Sequence, residues 1–322
     1  MDTVKEDLTQ STQRKSKRAR REDNRQNDQG LGKPKSRSGL LLSFCPQSFC
    51  LQFLSSLLAL LAAAGARAGE APVATRPPLL ICPAPVAEWK ADIQDVQHVL
   101  NSAAGELWRC FPDRSLQPII VAPQGGPIVW HRRGLNGEYY VQLNTGSTFW
   151  CQYAYQFAHE FCHILCGYTD DEKSNKWFEE SLCEMASVFA IRRMAETWKT
   201  KPPYPNWRDF APSLASYADD RLKKGALPPN TPFVEWLRQN EPAMRKEPCL
   251  REKNSVVAVA LLPLFEKQPE HWEAVTWLNA KPVREPRSLE QHLAAWRTNC
   301  PEKHRPFVTE IAKVFGISLP TE

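Results

Sequence analysis

Beyond residue 38 the chain lacks net charge. Its first 38 residues contain eleven Lys and Arg against six Asp and Glu, and the rest of the 322 residues contains thirty of each. Because a neutral body offers no extended basic surface, we expect no nucleic-acid partner for it. The formal charge of +5 belongs to the N-terminal segment, where Arg14–Arg21 forms a basic cluster. We interpret residues 1–38 as a disordered basic tail.

The chain also lacks a uniformly apolar run of the roughly twenty residues that a transmembrane helix needs. Residues 39–66 carry no charge, but their densest apolar stretch, residues 51–64, is shorter than that. Ala66 and Ala68 supply the small residues of an A-x-A cleavage site, so residues 39–68 resemble a secretory signal. An uncleaved signal anchor stays open, because positive charge before an apolar segment marks the cytoplasmic side. We predict a protein that is exported, periplasmic or secreted, or tethered to a membrane through residues 39–66.

Histidine is scarce, with seven residues in the chain, yet two of them stand four positions apart in the pentapeptide HEFCH. In a helix, positions i and i+4 are separated by about 40° around the axis, so His159 and His163 direct their imidazoles at one ion. Apolar residues at helical spacing on both sides of the pentapeptide predict that helix. Glu160 flanks the ion and suits a general base acting on water. The pentapeptide therefore predicts a zinc site.

A second helix, predicted over residues 177–197, supplies carboxylates on a face shared by Glu180 and Glu184. Two inward carboxylates on an otherwise apolar helix are costly unless something pairs with them. A zinc ion bound by Glu180, and a histidine ring N–H accepted by Glu184, would satisfy both. The alternative interpretation places Glu179 with these two glutamates on a solvated face and treats the histidines as ordinary residues.

The sequence HEFCH followed by WFEESLCE resembles the gluzincin metallopeptidases, a group that includes thermolysin-like proteases and zinc aminopeptidases. The resemblance covers residues 137–187. It implies a zincin-like fold and the following roles: zinc ligands His159, His163 and Glu180, general base Glu160, and Glu184 behind a ligand histidine.

This sequence departs from the gluzincin pattern at two positions, and its spacer between His163 and Glu180 is slightly shorter than in the aminopeptidases, which leaves the subfamily open. Glu179 stands where Asn is common, and Ser181 stands where Gly or Ala is common. We find no G-x-M-E-N type strand before the zinc helix, so an aminopeptidase is disfavoured. Residues 137–144 instead predict a half-buried strand, and in zincin folds an edge strand at this place binds extended substrate. Tyr140 and Gln142 would then line the cleft, unless they belong to an ordinary exposed strand face.

The fold class predicted is α+β. A helix over residues 87–111 and strands over 117–122, 128–131 and 138–143 precede the two site helices. We expect a zincin-like metal-binding subdomain over residues 69–199. An all-helical C-terminal lobe over residues 200–322 is then built from helices at 212–224, 232–245, 253–267, 270–279, 289–297 and 302–315.

Eight cysteines follow the predicted cleavage site, and eight in an exported chain permit disulfide bonds. Two pairs bracket helical segments, Cys82 with Cys110 and Cys249 with Cys300. Cysteine ligation of the zinc is not expected, because two histidines and a glutamate already complete the set. Three cysteines on the site helices can form a bridge between those helices or remain buried free thiols, and we favour free thiols. They are Cys162, Cys166 and Cys183.

These observations predict a zinc-dependent metallohydrolase, and specifically a peptidase acting on a peptide or protein substrate. Zinc would activate a water molecule, and Glu160 would pass its proton to the leaving amine. An exported zinc-binding pseudoenzyme and a non-catalytic structural domain remain as alternatives. No motif selects the second donor that the reaction needs for its oxyanion; the candidates are Tyr217, His271, Arg251 and His292.

Overall fold

The computed structural model describes residues 78–85, 88–169, 174–281 and 283–320. All of them belong to one compact unit, Arg76–Glu322. The predicted basic tail, residues 1–38, and the predicted signal segment, residues 39–68, lie outside the described residues. Within the described part of the chain, no helix combines the length and the apolar character needed to cross a membrane.

A four-stranded mixed sheet lies at the N-terminal end of the unit. Its strands are β1 Ile81–Pro83, β2 Ile119–Ala122, β3 Ile128–Val129 and β4 Tyr139–Gln142, and their order in the sheet is β1-β2-β4-β3. The three parallel strands β1, β2 and β4 carry alternating buried residues, and β3 runs antiparallel to β4. The sequence missed β1, a strand of only three residues.

The expectation that the strand at residues 137–144 forms the sheet edge is wrong. β4 pairs with β2 on one side and with β3 on the other, so its backbone groups are used on both sides. The edge beside it is β3, in which Ile128 pairs with Gln142 and Val129 with Val141. Local alternation predicts a strand but not its neighbours, because a short strand that folds back can take the outer position.

The described residues contain eight α-helices, and the predicted α+β class is confirmed. Three shorter segments, Pro205–Phe210, Pro269–Trp277 and Glu302–His304, are 3-10 helices, so the α-helix expected at residues 270–279 is wrong in type. The helices are α1 Ile93–Trp108, α2 Trp150–Cys166, α3 Lys176–Trp198, α4 Ala211–Lys224, α5 Phe233–Lys246, α6 Arg251–Lys267, α7 Leu289–Asn299 and α8 Arg305–Val314.

The helices α2 and α3 form the centre of the molecule and pack against each other. α1, α4 and α6 also pack on α3, and nearly all of α2 is buried. A helix that is covered on several sides carries apolar residues around most of its circumference. The buried charged and histidine residues of α2 and α3 therefore stand out: they are His159, Glu160, His163, Glu179 and Glu184.

The last turn of α2 is held by partners from distant parts of the chain. Gly167 ends the helix in the left-handed conformation, with φ 63°, where glycine carries no Cβ penalty. The half-buried Arg114 guanidinium donates to Leu165 O at 2.5 Å and to Ile164 O at 3.2 Å, and Asn279 Nδ2 donates to Cys166 O at 3.2 Å. These bonds satisfy carbonyl groups that a helix C-terminus leaves without partners.

All eight cysteines of the described residues are free thiols, so neither suggested disulfide pair is formed. Cys82 is exposed on β1, whereas Cys110 is buried behind α1. Cys249 is exposed, whereas Cys300 is buried with its Sγ 3.7 Å from Ala274 O. Each suggested pair therefore consists of one exposed cysteine and one buried cysteine. Also buried as free thiols are Cys162, Cys166 and Cys183.

Candidate metal centre

The five residues singled out by the sequence lie together on one wall of a cleft of about 390 Å³. α2 contributes the two histidines and the glutamate between them, and α3 contributes two glutamates one turn apart. The i, i+4 spacing places each pair on one helix face. The residues are His159, Glu160, His163, Glu180 and Glu184.

The two histidine rings turn their Nε2 atoms towards the carboxylate of Glu180. Nε2 of His159 lies 3.3 Å from Glu180 Oε2, and Nε2 of His163 lies 3.6 Å from Glu180 Oε1. A charge-assisted N–H···O bond is shorter, about 2.7–2.9 Å. Ligand atoms about 2.0–2.2 Å from a tetrahedral zinc ion lie roughly 3.3–3.5 Å apart. Both nitrogen–oxygen distances are therefore close to the separation of two ligand atoms of one zinc ion, and the shorter one is also a long hydrogen bond.

The other ring nitrogens face outward towards two further carboxylates. Nδ1 of His163 lies 2.5 Å from Glu179 Oε1, a short hydrogen bond. Nδ1 of His159 lies 3.6 Å from Glu184 Oε2 and is buried without a hydrogen bond. Carboxylates in this position orient ligand histidines and select the tautomer whose Nε2 is free for a metal. The donor set thus has an inner side that fits an ion and an outer side that holds the rings.

Glu184 is itself held by partners on two other helices. The Tyr155 hydroxyl donates to Glu184 Oε1, and the Ser255 hydroxyl donates to the same oxygen at 3.1 Å. Burial alone would raise the pKa of the Glu184 carboxyl, but the contacts with His159, Arg251 and Tyr155 lower it below its usual value. Glu184 is therefore an anion in the interior, and its contacts with α2 and α6 fix its position.

Glu179, to which the sequence assigned no role in the site, has the same function for His163. It is 4% exposed and is bound by Lys176 Nζ at 2.9 Å and by Asn279 Nδ2 at 2.9 Å. Burial would raise its pKa, but the Lys176 charge and the bond from His163 lower the pKa to about 2. Glu179 and Glu184 are both buried, so the alternative interpretation, in which these glutamates form a solvated face, is wrong for both of them. The contact with Asn279 could not be read from local sequence.

Without a metal, both rings carry two protons. Burial lowers the pKa of His159, but Glu180 and Glu184 more than offset this effect and raise the pKa to about 9. Burial likewise opposes charge on His163, whose pKa the carboxylates of Glu179 and Glu180 raise well above its usual value. Burial alone would raise the pKa of the Glu180 carboxyl. The contacts with His159 and His163 lower it, and the net result is a pKa far below its usual value. A divalent cation can therefore replace two ring protons without changing the net charge of the site.

Glu160 is the one acidic residue of the group that is left without a partner. It is 4% exposed, lines the cleft, and forms no hydrogen bond or ion pair with another described residue. The other three glutamates of the site all contact a histidine ring. A buried carboxylate in the same cleft as the two histidines, with no hydrogen bond to another described side chain, is available for proton transfer.

A second donor set overlaps the first. One nitrogen of each histidine and the Sγ of Cys183 all lie within 4.8 Å of one another. Cys183 is fully buried, however, and does not line the cleft, whereas Glu180 does. Burial raises the pKa of the Cys183 thiol well above its usual range, which opposes the thiolate form that binds metals. Cys183 and Glu180 are thus both candidates for the third donor, and Glu180 is the one that lines the cleft.

The cleft is also lined by Arg251, one of the oxyanion candidates, and by residues to which the sequence assigned no role. β3 contributes Ile128 and Val129, and the segment that begins α6 contributes Cys249, Arg251 and Asn254. Tyr140 and Gln142, expected at the cleft, are not among its lining residues. They lie on β4, one strand further from the cleft than β3. The remaining lining residues are Pro127, His131, Tyr168 and Lys176.

Of the four candidates for an oxyanion donor, only Arg251 reaches the cleft. His292 lines an adjoining cavity of about 240 Å³. Tyr217 instead accepts a hydrogen bond from Arg221 at 2.7 Å, and His271 Nδ1 lies 3.0 Å from His304 Nδ1. Neither of these residues lines the two cavities.

Comparisons of the chain with protein-family models, curated proteins and solved structures give no match. The chemistry of the cleft therefore has to be argued from its own side chains. These provide two neutralisable imidazoles, a carboxylate between them and a free buried carboxylate, which together suit a hydrolytic zinc centre.

Proposed function

We propose that this protein is a zinc-dependent metallohydrolase, specifically a gluzincin-like peptidase. His159, His163 and Glu180 would bind the ion. One observation carries the proposal: both Nε2 atoms lie at 3.3 and 3.6 Å from the Glu180 carboxylate, while both Nδ1 atoms face buried carboxylates. Neither an ordinary core histidine nor a surface ion pair needs carboxylates on both sides of two rings.

Four residues besides the metal ligands would have separate roles in the reaction. Zinc, when bound, supplies the positive charge that lowers the pKa of water towards about 7. Glu160 would hold the proton taken from that water at its carboxylate and deliver it to the leaving amine. Glu179 and Glu184 would hold the two rings in register. Arg251, which also lines the cleft, would stabilise negative charge on the oxygen of the attacked carbonyl.

A peptide substrate is supported by the edge strand beside the cleft. β3 is paired on one side only, and Ile128 and Val129 line the cavity that holds the histidines. An extended peptide can add to such an edge by main-chain hydrogen bonds, which would place its carbonyl groups next to α2. A sheet edge next to a two-helix metal site is also what a zincin-like core would require, and we include that core in the proposal.

We further propose that the protein acts outside the cytoplasm, or at a membrane through residues 39–66. This part rests on the sequence of residues 39–68 alone. N-terminal sequencing of the protein recovered from its producing cell tests it. A start near Gly69 supports export with cleavage, and an intact N-terminus with membrane association supports the tether.

Metal analysis of the purified full chain tests the central proposal. We expect one zinc per chain in the parent protein and none in His159→Ala. Glu160→Gln should retain zinc but lower peptide hydrolysis by about 10²–10⁴-fold, because it removes the base and leaves every donor in place. Glu196→Gln, an exposed change further along α3, is the matched control and should alter neither property.

The outcomes separate the alternatives. A folded parent protein that binds no zinc would refute the proposal as a whole. Zinc binding without hydrolysis of any peptide would favour the non-catalytic alternative, a zinc-binding structural domain or pseudoenzyme. Equal hydrolysis by Glu160→Gln and the parent would exclude Glu160 as the base.

A further inference from the structure

The cavity of about 240 Å³ that adjoins the cleft is continuous with it. A molecule bound at the histidines can extend from the cleft into this adjoining cavity, because four residues line both spaces: His131, Lys176, Glu180 and Cys249. Sites for drug-sized molecules occupy roughly 300–1,000 Å³. The adjoining cavity is smaller than these, so it suits one side chain or one chain end of a peptide that lies in the cleft.

The adjoining cavity is lined by more cations than its carboxylates neutralise. Among the described residues, the cations are Lys176, Lys281 and Arg287, and the carboxylates are Glu179 and Glu180. Lys176 is paired, because its Nζ lies 2.9 Å from Glu179 Oε1. Lys281 and the guanidinium of Arg287 form no hydrogen bond or ion pair with another described residue. Two positive charges are therefore left for a ligand.

The two carboxylates of the adjoining cavity are already used by other groups. Glu179 contacts His163 Nδ1 and accepts a hydrogen bond from Asn279 Nδ2, in addition to its ion pair. Glu180 lies against the rings of both His159 and His163. A carboxylate that enters from outside would therefore not compete with an internal partner for the two remaining cations.

Arg287 is held in place through its backbone. Its carbonyl accepts hydrogen bonds from Asn175 Nδ2 at 2.9 Å and from Arg245 Nη2 at 2.5 Å, and its N–H donates to Ser174 Oγ at 3.3 Å. Because both polar backbone groups are used, the group that Arg287 leaves for a ligand is its guanidinium. Asn175 directly precedes α3, so this residue is fixed beside the helix that carries Glu180.

We propose that the adjoining cavity is a carboxylate subsite, in which Arg287 and Lys281 bind an acidic group of the peptide next to the cleaved bond. A guanidinium binds a carboxylate through two parallel N–H···O bonds, and an ammonium adds a second charge. The inference rests on the proposed function and names its substrate class. That class is peptides with an acidic side chain, or a free C-terminus, at this position.

Peptide binding to the full chain tests the subsite without relying on hydrolysis. The zinc-loaded Glu160→Gln variant, which avoids cleavage, is titrated by calorimetry with three kinds of acetylated alanine peptide. The first is amidated and carries one Glu, placed at each position in turn. The second carries Gln instead, and the third is the Gln peptide with a free C-terminus. We expect a carboxylate peptide to bind about 10–100-fold more tightly than the amidated Gln peptide.

The two sources of the carboxylate give different results. Tighter binding of a Glu peptide assigns the subsite to an acidic side chain. Tighter binding of the peptide with a free C-terminus assigns it to the chain end. Either result supports the inference if the preference depends on Arg287.

Substitutions in the same background show whether it does. Arg287→Gln should abolish the preference, and Lys281→Gln should reduce it. Arg287→Lys keeps the charge but not the planar fork, so it should retain part of the preference. Arg284→Gln is the matched control, because it removes the same charge from an exposed position of the same segment that lines neither space. The control should keep the full preference, and circular dichroism checks that each variant is folded.

Three results would overturn the subsite. The first is equal binding of all the peptides, or binding of none. The second is an unchanged preference in Arg287→Gln. The third is a preference that disappears when zinc is removed but persists in Arg287→Gln, since the carboxylate would then bind the metal.

Failure of the subsite and failure of the proposed function are distinguishable. A preference that needs Arg287, in a chain that binds no zinc, would keep the subsite and refute the metallohydrolase. Zinc-dependent hydrolysis of peptides without any preference for a carboxylate would do the reverse.

Discussion

Zinc binding to this protein is expected to release protons from the two ligand histidines. In the metal-free protein both rings lie between carboxylates, and the pKa of His159 is raised to about 9 while that of His163 is raised well above its usual value. Both rings are therefore imidazolium cations at pH 6. Since zinc needs a deprotonated Nε2 on each, one ion displaces two protons. The pKa values of Glu179, Glu180 and Glu184 are lowered, so these carboxylates contribute none.

The size of the effect follows from the stoichiometry. Each proton displaced changes the free energy of binding by about 1.36 kcal/mol per pH unit. Two protons give about 2.7 kcal/mol, or roughly a hundredfold change in apparent affinity, for each pH unit. The sign is that acid weakens zinc binding, because a raised pKa means a more tightly held ring proton. The dependence extends up to about pH 9, where His159 loses its proton without a metal.

Isothermal titration calorimetry at pH 6, in buffers with different ionisation enthalpies, counts the protons directly. The parent protein should release two protons per zinc. Glu184→Gln removes the anion facing His159 Nδ1, so it should lower this count. Release of fewer than one proton per zinc by the parent would mean neutral rings and would refute the reasoning.

Three further predictions concern stability and the outer carboxylates. The free energy of unfolding of the metal-free protein should fall by about 3 kcal/mol as the pH rises from 6.5 to about 9, because the pKa of His159 is higher in the folded state. Urea unfolding measures this change, and the zinc-bound protein should show no such loss. Glu179→Gln should weaken zinc binding by about 10–100-fold in chelator competition, because His163 loses its anionic partner; unchanged affinity would exclude Glu179 from this role. Gly105→Ala should stabilise α1 by about 0.5–1 kcal/mol, since a Cβ there meets nothing within 4 Å. Gly225→Ala should destabilise the protein, because its Cβ would lie 2.5 Å from Ser255 O. Thermal unfolding should therefore give melting temperatures that change in opposite directions in the two variants.

The parts of the site that lie within one helix were accessible to sequence reasoning. The spacing of His159 and His163 places both rings on one face of α2, and Glu180 and Glu184 share a face of α3 by the same rule. The helices themselves were predicted to within a few residues, since periodic apolar positions report burial directly. Local geometry was enough for these residues because each relationship spans less than two turns.

The parts that depend on how elements cross were not accessible. Glu179 faces His163 because α3 packs against α2, and its second partner Asn279 is a hundred residues away. The segment that contains Cys249 and Arg251 lines the cleft because α6 packs on α3. The edge position of β3 likewise follows from pairing rather than from its own two residues. A pattern within a segment carries no information about which segment will lie beside it.

The contacts of Ser255 and Asn279 with the outer carboxylates have a consequence for the order of events during biosynthesis. Translation produces the histidines and Glu180 long before Ser255 and Asn279, which bind Glu184 and Glu179. A nascent chain that ends before residue 279 has the proposed zinc donors but lacks Asn279, which contacts one of the outer carboxylates. In the proposed site, tight metal acquisition would therefore be a late step, coupled to the folding of this C-terminal part, and protein released early from the ribosome should remain without zinc.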